Sequence, residues 1–507
     1  MYSIKNIKYS LIGQMINIIV VFVARIIFIK ILSAEYLGLS NLFTNILTIL
    51  SLTELGFTTA MSYQLYRPIS ENNTSAIKTL LSYYKKIYNY IFLSIIILGL
   101  LSLPIYPFFI QEIPQIENVD LIYILFVINS AASYLFSYKR LLIVSDQQKY
   151  IDTFFKYFIF LIQNVIQIIV LYITHNYILF LVIQIISTLS YNILTSLKAN
   201  KMYPYLKEKE RKIISNKDKN EIKKNVSSMF FHKFGGIVLN SSDNIIISKY
   251  LGLYINGLYS NYYLIISSLN AIITQLFNSL VASIGNLNTI NNKIKMTNVF
   301  KKIFFANFFI YNICCCCLLN LFNPFIEIWV GESFLLSEFT VIILVINFYV
   351  FGMRRSMMVF REATGNYSKD KISPIIESII NIIVSIVFVK ICGVAGVFIG
   401  TIVSSLCTNF WLEPLVVSNE SFTLKLMDYF KIYFKYLIVV VISISISYFT
   451  CKCISSGSII SLVIKGLISF TIPVIVIILL FRRSEEYLFY KKTIANLFKK
   501  KGELKND

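Results

Sequence analysis

Charge is what this sequence has least of. Charged residues make up 14% of 507 positions, against about a quarter in an ordinary soluble domain. Hydrophobic residues make up 56%, which excludes a soluble globular enzyme and implies an integral membrane protein. Histidine occurs only as His175 and His232, too far apart along the expected topology to build one site. No nucleotide-phosphate loop, Ser/His/Asp grouping or metal-ligand spacing appears, so no cofactor and no catalytic chemistry are expected. The cysteines do not change this: Cys314 to Cys317 would point around about 300° of a helix and cannot converge on one metal. Cys451 and Cys453, in an expected outer loop, are separated by one residue, which strains any pairing. Strict period-two alternation is missing from the apolar runs, which excludes a membrane barrel. The N-terminal apolar run is too long for a signal peptide and no A-x-A site follows it, so it reads as a first, retained helix.

What is present is a series of apolar runs of about 20 residues. Fourteen candidate spans centre near residues 21, 48, 96, 130, 163, 186, 238, 268, 311, 347, 382, 404, 441 and 470. With the N-terminus in the cytoplasm, 40 of the 47 Lys and Arg fall in inner segments and four, Lys30, Lys249, Lys390 and Lys452, in outer ones. That asymmetry supports fourteen spans with both termini inside. It also accounts for the formal charge of +21: the charge is spread over the inner segments, some of it facing anionic headgroups, and nucleic acid is excluded as a partner. The expected fold is an all-α polytopic membrane protein of two pseudo-symmetric six-helix lobes plus two C-terminal helices. Its parts are residues 1–197, a basic cytoplasmic linker at 198–225, a second lobe at 226–418, two further helices at 419–481 and a basic cytoplasmic tail at 482–507.

The lobes are read as a repeat. An offset of 219 sets KILSAEYLGLSNLFTNI from Lys30 beside KYLGLYINGLYSNYYLI from Lys249, matching Leu32 with Leu251, Gly38 with Gly257 and Ile46 with Ile265. Nearly equal offsets pair Asn129 with Asn347 and Asn164 with Asn381. A near-constant offset implies two repeats of the same orientation, as in two-lobed transporters.

Two polar stripes cross the apolar background. Gln14, Asn17, Val21 and Arg25 share one face of the first span, and Gly236, Asn240, Asp243 and Ile247 share one face of the seventh, with Asn244 alongside. An isolated charge at mid-membrane costs roughly 2.5–3.5 kcal/mol, so Arg25 and Asp243, placed at nearly one depth by the repeat, are expected to face a shared wet cavity or each other. Asn41, Thr44 and Asn45 on the second span and Gln163 and Gln167 on the fifth add polar wall. Tyr259, Tyr262 and Tyr263 offer rings for stacking. Interhelical hydrogen bonding or an interfacial aromatic belt accounts for each of these positions equally well.

In SAEYLGLSNLFTNILTILSLTELGFTTAM, SSDNIIISKYLGLYINGLYSNYYLI and REATGNYSKDKISPIIESIINIIVSI the chain resembles the Wzx-type polysaccharide, or lipid-linked oligosaccharide, flippases of the multidrug/oligosaccharidyl-lipid/polysaccharide (MOP) exporter superfamily. The resemblance spans the first twelve helices and carries no catalytic signature. It implies lobes that open alternately to either side of a bacterial cytoplasmic membrane. The substrate would be an undecaprenyl-pyrophosphate-linked repeat unit, and the implied partners are the bilayer, a polysaccharide polymerase and glycosyltransferases. Arg25 would then bind the pyrophosphate, since a guanidinium keeps its charge and grips phosphate through two parallel bonds. Asn17, Asn41, Asn45, Asn240 and Asn244 would line the cavity, and Asp243 would pair with Arg25 or couple an ion. Against this stands a purely structural Arg25–Asp243 pair. Lys233 and Arg361 would receive the headgroup phosphate, or simply snorkel to the interface. A drug or metabolite exporter of the same superfamily, a membrane glycan polymerase or ligase, and a non-transporting scaffold are the competing readings. The short outer segments QEIPQIEN and NPFIEIWVGES speak against an enzyme with a large outer domain.

Overall fold

A computed structural model describes residues 2–51, 57–112, 114, 116–207, 216–289, 292–365, 372–455 and 457–503. Among the described residues there is no strand. The helices in chain order are α1 (Tyr2–Ile31), α2 (Ala34–Leu50), α3 (Phe57–Ser70), α4 (Thr74–Leu101), α5 (Val119–Ala132), α6 (Tyr138–Ser145), α7 (Lys149–Thr174), α8 (Tyr177–Met202) and α9 (Asn216–Thr289). They continue with α10 (Lys293–Val330), α11 (Glu338–Met353), α12 (Arg355–Thr364), α13 (Ser373–Cys392), α14 (Val394–Cys407), α15 (Asn409–Ser421), α16 (Leu426–Lys452), α17 (Ile459–Phe481) and α18 (Glu485–Glu503). Eleven described stretches are long and apolar enough to cross a membrane, and α5 is a shorter apolar helix. One of the eleven, Phe234–Asn288, is broken by Gly252 at φ +87°, a conformation only glycine takes cheaply. The chain is a multi-pass membrane protein.

Polar side chains mark the helix starts, where four N–H groups lack intrahelical partners. Asn73 accepts from Ala76 N, Asn176 from Ile178 N and Leu179 N, and Asn292 from Lys295 N. Ser458 and Ser461 close a reciprocal cap on α17. These helix ends are exposed, and each cap satisfies donors that would otherwise turn to water, fixing where the helix begins.

The chain divides into two compact units. The first holds residues 1–260 and 374–382. Its core is aromatic: Phe43 on α2 meets Tyr106, Tyr123 and Phe126 edge-on at centroid distances of 5.1, 4.8 and 5.7 Å. α1 lies along α7, where Gly13 makes room for the Tyr157 ring and Tyr157 donates to Gln14 Oε1 at 3.0 Å. A second close approach involves the residues that the 219 offset pairs. A Cβ on Gly38 would stand 1.9 Å from Leu253 O, and a Cβ on Gly257 would stand 2.0 Å from Ala34 O. Ala34 and Leu253 are themselves one offset apart, so the two repeat segments cross reciprocally, backbone against backbone. Asn256 stitches the crossing, donating to Ser248 Oγ at 2.6 Å and to Asn244 O at 3.2 Å.

The second unit holds residues 261–373 and 383–507. α10 is its axis. Phe304 and Phe308 on α10 stack with Tyr429 and Tyr436 of α16, and Phe300 meets Tyr429 at a tilt; a polar seam runs higher on the same helix. Asn312 donates to Ser443 Oγ, and Asn320 to both Ser447 and Ser469 Oγ, at 3.0–3.2 Å. The consecutive thiols Cys315 and Cys316 are buried in this packing, with Cys314 and Cys317 half-buried; all are free, as are Cys451 and Cys453.

Candidate functional site

Arg25 sits most of the way along α1. Its Nη1 donates to Ser260 Oγ at 2.8 Å, and Ser260 also donates to Gly257 O at 2.7 Å. The geometry follows from the Gly252 break. The chain turns there, Gly257 seats on Ala34, and the next helical turn delivers Ser260 to the guanidinium. Asp243, expected beside Arg25, is buried one segment earlier, and the hydrogen bond of Arg25 goes to the serine.

A cavity of about 220 Å³ opens beside Arg25, within the first unit, between α1, α2, α5, α7 and α8. Its polar wall is Arg25, Ser40, Thr44, Asn164, Gln167, Tyr177 and Gln184, and its apolar wall includes Phe28, Phe126 and Phe180. Among the described residues no carboxylate lines it. Gln167 is 2% exposed and held at both ends: its Nε2 donates to Phe180 O at 2.9 Å and its Oε1 accepts from Gln163 Nε2 at 3.2 Å. Tyr177 and Ser40 share a hydrogen bond of 2.6 Å. The site is thus one cation among neutral hydrogen-bonding groups and rings, an arrangement that accepts an anion without a carboxylate competing for it.

The other expected residues lie as follows. Asn17, Asn41 and Asn45 are half-buried, and Asn45 donates to Asn41 O at 2.8 Å, one turn back along α2. Asn240 is exposed and donates to Gly236 O at 2.7 Å. Asn244 is buried, its Oδ1 without a hydrogen-bond partner among the described residues. Along the expected stripe of α9, Asn240 is exposed while Asp243 and Ile247 are buried. The Lys233 side chain lies outside the described residues. Among the tyrosines, Tyr262 is committed to the core of the second unit: it donates to Asn323 Oδ1 at 2.6 Å and accepts from Leu336 N at 2.9 Å.

Arg361 belongs to a cluster that reading the sequence missed. Arg354 grips Glu413 with both arms of its fork, Nε to Oε2 and Nη2 to Oε1, each at 3.0 Å. It also donates from Nη1 to Ser405 Oγ at 2.8 Å. Arg361 Nη1 stands 3.5 Å from Glu413 Oε1, and all three charged side chains are buried. The cluster straddles two helix breaks: Arg354 is the junction of α11 and α12, and Ser405 and Glu413 flank the break at Thr408 (φ −129°, ψ −98°) between α14 and α15. The one sequence signal was three arginines within eight residues of an otherwise apolar span.

No protein-family model matches the sequence, and no curated protein matches it. Solved structures do. The lipid II flippase MurJ in an inward closed conformation superposes with a TM-score of 0.65 at 15% identity, covering 95% of this chain and 98% of that one. An inward-facing multidrug resistance MATE family transporter of the MOP superfamily superposes with a TM-score of 0.61 at 14% identity, covering 82% and 98%. The fold is therefore the MOP-type transporter fold.

Proposed function

We propose that this chain is a flippase of the bacterial cytoplasmic membrane, carrying an undecaprenyl-pyrophosphate-linked oligosaccharide repeat unit from the inner to the outer leaflet for surface polysaccharide synthesis. In this reading fourteen spans place both termini inside, and two repeat lobes joined by the basic linker at 198–225 open alternately to the two sides. The polymerase and glycosyltransferases that make and use the repeat unit are its functional partners. The observation that carries the reading is the Arg25 site: a guanidinium within a membrane span, hydrogen-bonded to a neutral serine and beside a cavity that no carboxylate among the described residues lines. An anionic headgroup supplies what that cation lacks. The fold shared with the lipid II flippase MurJ supports a lipid-linked substrate.

The membrane potential suffices to set direction. A pyrophosphate diester carries about two negative charges, and moving them outward down a potential of about 100 mV, inside negative, releases roughly 4.6 kcal/mol. In this scheme Asp243 serves as a coupling or pairing group, Asn17, Asn41, Asn45, Asn240 and Asn244 as polar wall of the transport path outside the Arg25 cavity, and Lys233 receives the headgroup from the inner leaflet, while Arg361 is held by Glu413. The fold shared with MATE transporters favours a second reading, export of a multidrug or metabolite substrate. A cationic drug fits poorly beside Arg25, which is why the anionic substrate is preferred. The test is translocation of a lipid-linked oligosaccharide by the purified protein in vesicles. Wild type should translocate and R25A should not; undiminished translocation by R25A removes the assignment.

A further inference from the structure

Binding a pyrophosphate needs only the guanidinium, yet Arg25 opens onto a cavity whose wall is built of amides and rings. We propose that this cavity is a monosaccharide subsite, holding the sugar ring bonded to the phosphate that Arg25 grips. The chemical class of the ligand rests on the flippase reading; the location and shape rest on the cavity itself.

Size comes first. At about 220 Å³ the cavity falls below the about 300–1,000 Å³ typical of sites for drug-sized molecules, yet holds the volume of roughly seven waters at about 30 Å³ each. That is room for a single sugar ring. The chemistry agrees. Sugar hydroxyls donate and accept at once, and a carboxamide offers an acceptor oxygen and a donor nitrogen on one rigid group. Gln167 is locked between Gln163 and the Phe180 carbonyl, so its orientation is set before any ligand arrives. Asn164 anchors its Nδ2 on Phe160 O at 2.8 Å. Among the described residues, Asn164 Oδ1 and the whole Gln184 amide carry no hydrogen bond. They are acceptors and donors left for a ligand. Tyr177 and Phe180, stacked at 5.8 Å with 25° between planes, give the apolar C–H face of a sugar ring a surface to lie on. With no carboxylate among the described residues of its wall, the cavity suits a sugar carrying an anion and disfavours a metal ion or an organic cation.

The experiment measures binding of glucose 1-phosphate, N-acetylglucosamine 1-phosphate and inorganic phosphate to the purified full-length protein in detergent. Wild type, Gln184→Leu and Ile168→Trp are compared. Wild type should bind at least one sugar phosphate tenfold or more tighter than inorganic phosphate. Gln184→Leu should erase most of that advantage while leaving phosphate affinity unchanged, and Ile168→Trp, which fills the cavity, should abolish it. Gln184→Leu carries the test, because its side chain has no hydrogen bond to lose; an unchanged thermal unfolding temperature confirms its fold. Equal affinity for phosphate and both sugar phosphates, or an advantage insensitive to both substitutions, overturns the proposal. Insensitivity together with loss of translocation in R25A would sink the subsite alone. Sensitivity to Gln184 with translocation kept in R25A would support the subsite and sink the transport role of Arg25.

Discussion

Two arginine sites within apolar spans of this protein solve the same problem in opposite ways. In the second unit Arg354 spends its fork on Glu413 and its remaining arm on Ser405, with Arg361 drawn to the same carboxylate. In the first unit Arg25 has, among the described residues, a single serine for a partner and a cavity beside it. A charge moved into a membrane costs roughly 2.5–3.5 kcal/mol unless something offsets it. The Glu413 cluster offsets that cost within the fold and has little capacity left for a ligand. The Arg25 site leaves part of it outstanding, and a ligand of opposite charge is what would settle it. Ionic saturation separates structural charge from available charge: Arg354 and Arg361 share a carboxylate, and among the described residues Arg25 has none.

Substitutions ranked by the stability they cost can break this contrast. Glu413→Gln strands two buried guanidinium groups, and removing one partner from a buried pair costs about 3–5 kcal/mol. Thermal unfolding of the purified variant should drop steeply, and an unchanged midpoint would show that the cluster is not structural. Gly257→Ala comes next. Its Cβ would meet Ala34 O at 2.0 Å, so the helix crossing must separate, at an overpacking cost of about 1–3 kcal/mol; the same measurement reads it. Ser260→Ala should cost about 1 kcal/mol or less, the usual net worth of one hydrogen bond, and should leave translocation in place. Smallest in stability is Arg25→Ala, where losing one hydrogen bond is offset by removing an intramembrane charge. Its unfolding should barely move while translocation is lost, and a large destabilisation would instead make Arg25 a structural residue like Arg354.

How far the sequence reaches depends on which physics is asked of it. Apolar runs between charged segments foretold the helices, because a helix in lipid must be continuous and apolar to satisfy its backbone. The offset of 219 foretold that Gly38 and Gly257 correspond, and polarity within an apolar span singled out Arg25. The partner of Arg25 was not legible. Helical periodicity gives a depth and a face for each span, but Ser260 reaches the guanidinium through the turn at Gly252, a backbone event that shifts the following helix relative to the one before. The Arg354–Glu413 cluster was hidden for a related reason. Its residues lie 59 positions apart at two helix breaks, where the periodic pattern that places side chains is interrupted.

The crossing of α2 with the segment after Gly252 has one more property. Its contacts are isologous: Gly38 touches Leu253, and their counterparts in the other repeat, Gly257 and Ala34, touch in the same way. That is the signature of a two-fold axis in a homodimer, where residue i meets j and j meets i across identical patches. Here both patches lie on one polypeptide, so the crossing has the form of a dimer interface whose protomers are covalently joined. A true dimer takes every substitution twice; this chain can alter Gly38 or Gly257 separately, which lets the two sides of the axis diverge.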